Sequence, residues 1–482
     1  MNKLENVRVR YAPSPTGYIH IGNLRTALFN YLFARHHNGV FVLRIEDTDQ
    51  ARKVEGAVEN LIHSLNLLGI DYDEGPFKGG PYGPYFQSQR LDIYRKYCNE
   101  LLEKGWAYYA FETPEELEEM RRLQQIEGRQ TMYDRRARSL TKSEVEKLLN
   151  EGRPYVIRLK VPLDDEVKFE DVIKGTIRIE TNLIDDQILL KSDGFPTYHL
   201  ANVIDDHLMK ISHIIRGEEW VTSVPKHILI YKALGWEPPI FAHVPLLLNP
   251  DKTKLSKRQG DVAVEDYLRK GYLKEALINF IALLGWNPGE GEENEFFTMQ
   301  ELIERFSLER VHSAGAVFNI QKLDWMNNEY IRRYDIDELT ELVLPFLEEG
   351  GIDTSDKIKI KKILNIVRVY VNKLNELPQH FRMFFVDKVE FENPDYQEVV
   401  KTDISKRVFE ELILRLQGVS ELTAEEFKQA TQDIQKSTGI KGKNLFKPIR
   451  LALTGKEHGP ELPIVAELLG KDKVIKFLSQ QI

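Results

Sequence analysis

Near its start the chain changes hydrophobic period several times. Val7, Val9 and Tyr11 alternate with Arg8 and Arg10, which predicts a β-strand. Pro13, Ser14, Pro15, Thr16 and Gly17 then break the pattern as a turn. Over residues 24–35, Leu24, Ala27, Leu28, Tyr31 and Leu32 fall on one helical stripe, which Asn38 and Gly39 terminate. Residues 41–45 form a nearly continuous apolar run, as a parallel strand buried on both faces would. A second helix is expected over 54–68. Strand, helix, strand, helix opens a doubly wound α/β domain.

Regularity then lapses. Residues 75–84 are rich in Gly and Pro and read as a loop, 90–105 and 114–129 as helices, and 155–161 as a strand. The spacing predicts an insertion of roughly a hundred residues within the α/β domain. The alternation resumes near Pro196, with a helix over 198–206, a strand over 211–215, a helix over 225–234 and a strand over 240–248. Asp205 and Asp206 are expected on a solvated helix surface. A polar loop follows at 249–261. Beyond Val262 the period is almost wholly helical, with a Gly-rich, acidic loop at 287–295 and a boundary signal at 349–356.

Length and charge narrow the class. A chain of 482 residues exceeds one core, and about three to five domains is the ordinary partition. Hydrophobic residues at 42% and charged residues at 29% describe a soluble globular protein. The net charge of −9 excludes a surface coated in basic residues, but local basic patches can still bind phosphates. The single cysteine, Cys98, allows neither an intrachain disulfide nor a cysteine metal cluster and points to a reducing compartment. The first residues lack an apolar signal core, and no apolar run approaches the ~18 residues of a membrane span, so a cytoplasmic protein is expected.

In an open parallel sheet, ligands bind beyond the carboxyl ends of the strands. Four predicted strands end there in reactive residues. The first leads from Arg10 to Ser14 and His20, and the second ends at Glu46. The third ends at Arg216, and the fourth runs into Lys254 and Lys257. His20 opens the first helix, where free N–H groups and the helix dipole suit phosphate, and its imidazole can donate to a phosphate oxygen. Gly17 and Gly22 would allow close approach. The plainer alternative makes Ser14 or Thr16 the helix cap and His20 a surface residue. Lys254 and Lys257, three apart on a polar loop, can neutralise charge that grows on a leaving polyphosphate.

These two motifs, in this order, resemble the two signature sequences of class I aminoacyl-tRNA synthetases. Ala-Pro-Ser-Pro-Thr-Gly, Arg-Ile-Glu-Asp-Thr-Asp, Ser-Asp-Gly-Phe-Pro-Thr-Tyr-His-Leu-Ala-Asn and Asn-Pro-Asp-Lys-Thr-Lys-Leu-Ser-Lys-Arg resemble the bacterial-type glutamyl-tRNA synthetases, as does the stretch at 447–455. The resemblance implies a multi-domain protein with an α/β, Rossmann-type catalytic core in two halves, 1–90 and 196–255. Between them would lie an α+β connective domain at 91–195 that holds the tRNA acceptor end. A stem-contact domain at 256–333 would carry the lysine loop at its start. An all-α anticodon-binding domain at 334–482 would follow, with subdomains meeting near residue 388.

The implied reaction joins glutamate to tRNA(Glu) through glutamyl-adenylate, with ATP and its Mg²⁺ as co-substrate, in a monomeric enzyme. The carboxylate is already a nucleophile, so His20, Lys254 and Lys257 are assigned to charge stabilisation. Thr16, Gly17, Gly22, Asn23, Ser256 and Arg258 complete the implied ATP site. Glutamate needs two cationic anchors and an anionic partner for its ammonium, and Arg10, Arg216 and Glu46 supply that set. Ala12 and Ser14 join them by resemblance. Tyr198 and Asn202, four apart on a helix, share one face of the pocket. Which arginine takes which carboxylate stays open, with the resemblance favouring Arg216 for the side chain.

For tRNA, Arg135 and Arg136 lie in a basic cluster of the insertion, and Lys447 and Arg450 lie beside Phe446 in the C-terminal third. Some relatives bind zinc in the insertion through cysteines. Ala110, Glu112 and Ala137 stand in that stretch here, so no zinc is expected. By gap-free alignment from residues 376–378, Tyr370 occupies a position where some relatives place an anticodon-reading arginine. Its absence leaves open a non-discriminating enzyme that also charges tRNA(Gln). A glutaminyl relative would have a β-barrel anticodon part, which the helical C-terminal third does not suggest.

Overall fold

The computed structural model describes residues 4–49, 54–255, 263–289 and 291–482. Two compact units divide the chain: Met1–Asp266 with Ile278–Asn319, and Tyr267–Leu277 with Ile320–Ile482. Among the described residues no helix is long and apolar enough to cross a membrane.

In the first unit, β1 (Arg8–Tyr11) leads through α1 (Ile21–His36) to β2 (Val40–Leu43), and the two strands pair in parallel with Arg8 opposite Val40. After α2 (Ala57–Leu67) and α3 (Leu91–Glu103) comes an antiparallel three-stranded sheet of β3 (Ala107–Ala110), β4 (Val156–Leu159) and a later strand. Helices α4 (Pro114–Ile126) and α5 (Lys142–Asn150) lie between β3 and β4 in sequence. Both start with capping boxes, Thr113 with Glu116 and Thr141 with Glu144, which satisfy the first free N–H groups. Next come β5 (Glu166–Asp171), β6 (Gly175–Glu180) and β7 (Ile188–Leu190), the third strand of that sheet. Then α6 (Tyr198–Leu208), β8 (His213–Gly217), α7 (Val224–Leu234) and β9 (Ile240–Val244) restore the α/β rhythm.

Strands β8 and β9 run parallel, and β9 runs parallel to β5 through Asp171 and Phe241. The Ser212 N–H, just before β8, donates to the Arg8 carbonyl at 2.9 Å, so the β1–β2 pair is tied to the edge of β8. The expected α/β order is therefore present, but β5 and β6, inside the expected insertion, hydrogen-bond into the sheet of β8 and β9. Their alternation went unread because the inward positions Val167, Phe169 and Asp171 end on a carboxylate, and Glu166, Lys168 and Glu170 face outward. The short strands β3 and β7, and α5, were also unmarked by the sequence pattern.

The insertion shares its core with the α/β part. Tyr94, Cys98 and Leu101 of α3 pack with Ile157 and Leu159 of β4, Leu200, Val203 and Ile204 of α6, and Leu229 and Ile230 of α7. Ala110, Met120, Tyr133 and Ala137 form a smaller cluster, above which the Tyr133 hydroxyl donates to Glu112 at 2.8 Å.

One expectation is reversed outright. Asp205 and Asp206 are not solvated; both side chains are completely buried. A helix with Leu200, Ala201, Val203 and Ile204 on several sides is covered all round, so its acids must find cations inside. Asp205 accepts from Arg90 Nε at 2.7 Å, Gln87 Nε2 at 2.9 Å and the Tyr94 hydroxyl at 2.8 Å. Asp206 accepts from Arg10 Nε at 3.0 Å and Arg44 Nη1 at 2.8 Å. Burial alone would raise the Asp206 carboxyl, but Arg10 and Arg44 outweigh it and hold it below the usual range.

The second unit is helical. Helices at Ile336–Glu349, Lys357–Val367, Asp403–Gln417, Ala424–Thr438 and Lys443–Thr454 surround a core that includes Leu339, Ile360, Phe409, Phe427 and Ile449. Of the lysine run at its start, Lys357 pairs with Glu341 and Lys361 with Asp337, while Ile360 and Ile363 face the core and Ile358 faces solvent. That segment is an ordinary amphipathic helix.

Asp205→Ala should strand the Arg90 guanidinium without a counter-ion. We expect a loss of about 3–5 kcal/mol in unfolding free energy, read as a lower urea midpoint. A loss below about 1 kcal/mol, the range of exposed pairs, would contradict the structural role assigned to this carboxylate.

Candidate active site

Two cavities adjoin at the carboxyl ends of β1, β8 and β9. The first, of about 290 Å³, is lined by His20, Gly22, Asn23 and Arg25 from the start of α1, by Pro245 to Leu247 after β9, and by Lys254 and Leu255. The second, of about 260 Å³, is lined by Arg10, Ala12, Ser14, Thr16, Glu46, Tyr198, Arg216 and Trp220. Asn23, Thr26, Gly217 and Glu219 line both, so the two volumes meet there.

His20 itself caps α1. Its Nδ1 accepts from the Gly22 N–H at 3.1 Å and the Asn23 N–H at 3.4 Å. Neither Ser14 nor Thr16 takes that role. An imidazole that accepts at Nδ1 carries its proton on Nε2, so the ring presents a donor at its far edge. Gly22 permits this fold-back: a Cβ there would lie 3.1 Å from His20 Cε1. Gly17 has φ +139°, a conformation that L side chains rarely adopt.

Lys254 and Leu255, which lead into the lysine loop, line this cavity. Leu255 N–H donates to the Leu247 carbonyl at 2.9 Å, and beyond the loop Val264 N–H donates to the Ile19 carbonyl at 3.0 Å. Lys254 therefore stands on the same wall as His20. Ser256, Lys257 and Arg258 lie outside the described residues. Arg25, which sequence reasoning missed, is buried beside the cavity, donating to the carbonyls of Leu284 at 3.1 Å and of Pro245. Burial pushes its guanidinium down to about 10 against the pull of Glu219 and Glu218.

In the second cavity, Arg10 is anchored by Asp206, and Glu46 sits 3.3 Å from Arg44 Nη2. Burial lifts the Glu46 carboxyl above its ordinary value despite Arg44 and Arg10. Arg216 Nη1 donates to the Tyr198 hydroxyl at 2.7 Å, and the Tyr198 ring rests on Trp220 with centroids 4.2 Å apart. Arg216 Nε donates to His243 Nε2 at 3.1 Å, and its Nη2 faces His227 Nδ1 at 3.4 Å. Burial, with Arg216 adding to it, holds the His227 imidazole far below its ordinary value. Burial likewise pushes His243 down to about 4 against the pull of Asp171, and His199, which receives the His227 Nε2–H at 3.1 Å, to about 3. All three rings are neutral at pH 7.

The sequence-derived residues distribute as follows. His20, Gly22, Asn23 and Lys254 share the first cavity; Arg10, Ala12, Ser14, Glu46, Tyr198 and Arg216 share the second. Thr16, expected near ATP, lines the second, and Gly17 lines neither. Asn202 is buried and lines neither; both its amide atoms lack a hydrogen-bond partner among the described residues. Arg135 and Arg138 pair with buried Asp186, and Arg136 with Asp134, so the insertion's basic cluster is largely neutralised from within. In the second unit Lys447 pairs with Glu457 at 2.9 Å, and Arg450 donates to the Pro460 carbonyl at 2.9 Å. Asp171, His227, His243 and Trp220 escaped sequence reasoning. The surplus of histidine at 199, 227 and 243, each in an apolar surround, was the available signal.

Residues 6–325 match the family of class I tRNA synthetases (E and Q), catalytic domain, and residues 338–482 match an anticodon binding domain. A glutamate–tRNA ligase of Chlorobaculum parvum is 50% identical over 99% of this chain and 98% of its own length. One of Clostridioides difficile is 48% identical over 98% of both. Among solved structures, a glutamate tRNA ligase from Elizabethkingia meningosepticum in complex with its amino acid superposes with a TM-score of 0.92 at 38% identity, covering 99% of each chain.

The buried histidines set an acid limit. His199, His213, His227 and His243 are all held below the ordinary imidazole value, chiefly by burial. The unfolded chain therefore binds more protons than the folded one below about pH 6.5. Stability should be fully present above that pH and fall steadily towards about pH 4, the value for His213 and His243. Urea midpoints compared at about pH 7.5 and pH 5 should show a clear drop; equal midpoints would contradict the neutral, buried assignment.

Proposed function

This chain belongs to the class I tRNA synthetases of the E and Q group, among the glutamate–tRNA ligases, and we propose that it activates L-glutamate with ATP and transfers it to the terminal ribose of tRNA(Glu). The observation that carries this reading is the meeting of two unlike cavities. One offers donors suited to polyphosphate, namely the His20 Nε2–H and Lys254. The other offers two guanidiniums and one carboxylate, the complement of an amino acid with two carboxylates.

In the proposed first step an oxygen of the glutamate α-carboxylate bonds to the α-phosphorus of ATP. The bond from that phosphorus to the bridging oxygen breaks, and pyrophosphate leaves with the electron pair. No proton is moved, so the protein's part is alignment and stabilisation of charge on the leaving group. His20 and Lys254 serve that charge directly, with Lys257 as a third donor by sequence. Mg²⁺ supplies further neutralisation when bound to the ATP phosphates. Glu46 faces the substrate ammonium, Arg10 the α-carboxylate and Arg216 the side-chain carboxylate. In the second step a ribose hydroxyl oxygen attacks the acyl carbon, the acyl–phosphate C–O bond breaks, AMP leaves with the electron pair, and the hydroxyl proton passes to the departing phosphate.

Residues 91–195 are assigned to the acceptor end of tRNA and 334–482 to the anticodon, with Arg135, Arg136, Lys447 and Arg450 as contacts. Tyr370, exposed on the second unit with its ring alongside His380, presents a neutral side chain where some relatives have arginine. This supports a wider acceptor range that includes tRNA(Gln).

His20→Asn keeps a good helix cap but removes the imidazole donor. Pyrophosphate exchange, run with glutamate and tRNA, should fall about 10²–10³-fold while the melting temperature stays put. Undiminished exchange would remove His20 from the mechanism. Charging assays on purified tRNA(Glu) and tRNA(Gln) should show glutamylation of both; none on tRNA(Gln) would sink the wider range.

A further inference from the structure

Arg216 differs from its buried neighbours in what holds it. Arg10 and Arg44 lean on Asp206, and Arg90 on Asp205. Arg216, only 5% exposed, donates to two histidines and a tyrosine, and no carboxylate among the described residues lies within ion-pair distance of it. A guanidinium held by neutral acceptors keeps its whole charge, which is unfavourable in a buried site until an anion arrives.

The orientation of one acceptor is set from behind. Asp171 closes β5 where that strand meets β9. Its Oδ1 accepts the N–H groups of Ile173 at 3.0 Å and Lys174 at 2.9 Å. Its Oδ2 accepts the His243 backbone N–H at 3.1 Å and His243 Nδ1–H at 2.6 Å. That fixes the proton on Nδ1 and leaves a lone pair on Nε2 for Arg216 Nε. His227 makes the matching arrangement on the other side, with Nδ1 towards Arg216 and Nε2 towards His199.

We propose that Asp171, His243 and His227 are positioning residues for substrate choice: they fix Arg216 through neutral imidazoles, so that its charge is reserved for a carboxylate and a carboxamide is rejected. An acid in place of either ring would supply the counter-ion from the protein and erase the distinction between glutamate and glutamine. The inference rests on the reading that Arg216 takes the substrate side chain.

Asp171→Asn tests it most sharply. The N–H groups of Ile173 and Lys174 keep the amide oxygen on their side, which turns the amide NH₂ towards His243 Nδ1. The ring must then accept at Nδ1 and carry its proton on Nε2, opposed to Arg216 Nε–H, a wrong tautomer in nearly unchanged geometry. In tRNA-dependent pyrophosphate exchange with the full chain, Asp171→Asn and His243→Leu should raise the glutamate KM about 10–100-fold and narrow the preference for glutamate over glutamine. The ATP KM should stay within about twofold. His243→Gln, whose amide can donate to Asp171 and accept from Arg216, should recover most of the loss. Unchanged glutamate KM and preference in both damaging variants would overturn the proposal, as would equal shifts in the glutamate and ATP KM values or failure of His243→Gln to outperform His243→Leu. If Asp171→Asn does not fold, the two His243 variants decide the matter by the same criteria. Arg216→Ala separates the premise: an unaltered glutamate KM there defeats the reading of Arg216 itself, whereas a large rise with silent histidine variants defeats only the positioning role.

Discussion

The pair of carboxylates on α6 is the constraint on which the catalytic unit depends. Asp205 and Asp206 draw together Arg10 at the end of β1, Arg44 just past β2 and Arg90 at the start of α3. These cations are far apart in sequence and come from the ends of two paired strands and from a helix start outside that ladder. Burying so many charges is expensive, and replacement by apolar residues of similar shape is often neutral or better for stability alone. What the arrangement supplies instead is direction. A guanidinium with a fixed carboxylate behind it points one way, and Arg10 on the cavity wall is one of those so fixed.

The second cavity thus contains two kinds of arginine. One is already compensated by the protein and can act as a hydrogen-bond fork of set orientation. The other has no carboxylate within ion-pair distance among the described residues and is held by two imidazoles and a phenol. The difference is local chemistry, not burial, since both side chains are nearly inaccessible. In a confined site of low polarity, a fixed charge acts far more strongly than on the surface. Glu46 completes the contrast as the anion of the set, kept from an easy ionisation by its burial and steadied by Arg44.

Much of this could be read from the sequence, and the failures share a cause. The β1–α1–β2 opening was legible because buried parallel strands and their crossover helix impose unmistakable periods. His20 and Lys254 were legible because their two motifs occur together, each after an α/β strand and in this order, whereas either alone also fits a capped helix or a solvated basic loop. Arg10, Glu46 and Arg216 followed from the charges of the ligand the motifs implied. The partners behind them did not. Asp206 is 196 residues from Arg10 and Asp171 is 72 from His243, and no local pattern marks such pairs. For the same reason Asp205 and Asp206 read as surface residues, and the cluster of Arg135 and Arg136 read as basic when Asp134 and Asp186 stand beside it. β5 was missed because its most useful residue is the acid that ends it.

Helix α6 faces two ways. Leu200, Val203 and Ile204 belong to the core shared with the inserted sheet, while Tyr198 lines the second cavity and Asp206 anchors its Arg10. Close-packed interiors do not let one face of a helix shift while the other stays still. A displacement of the inserted sheet would therefore be felt at the second cavity. Thermodynamic linkage makes that traffic two-way: whatever factor a ligand on the inserted sheet applies to affinity at the second cavity, a ligand in the cavity returns to it. One buried helix is the mechanical link between the inserted sheet and the second cavity.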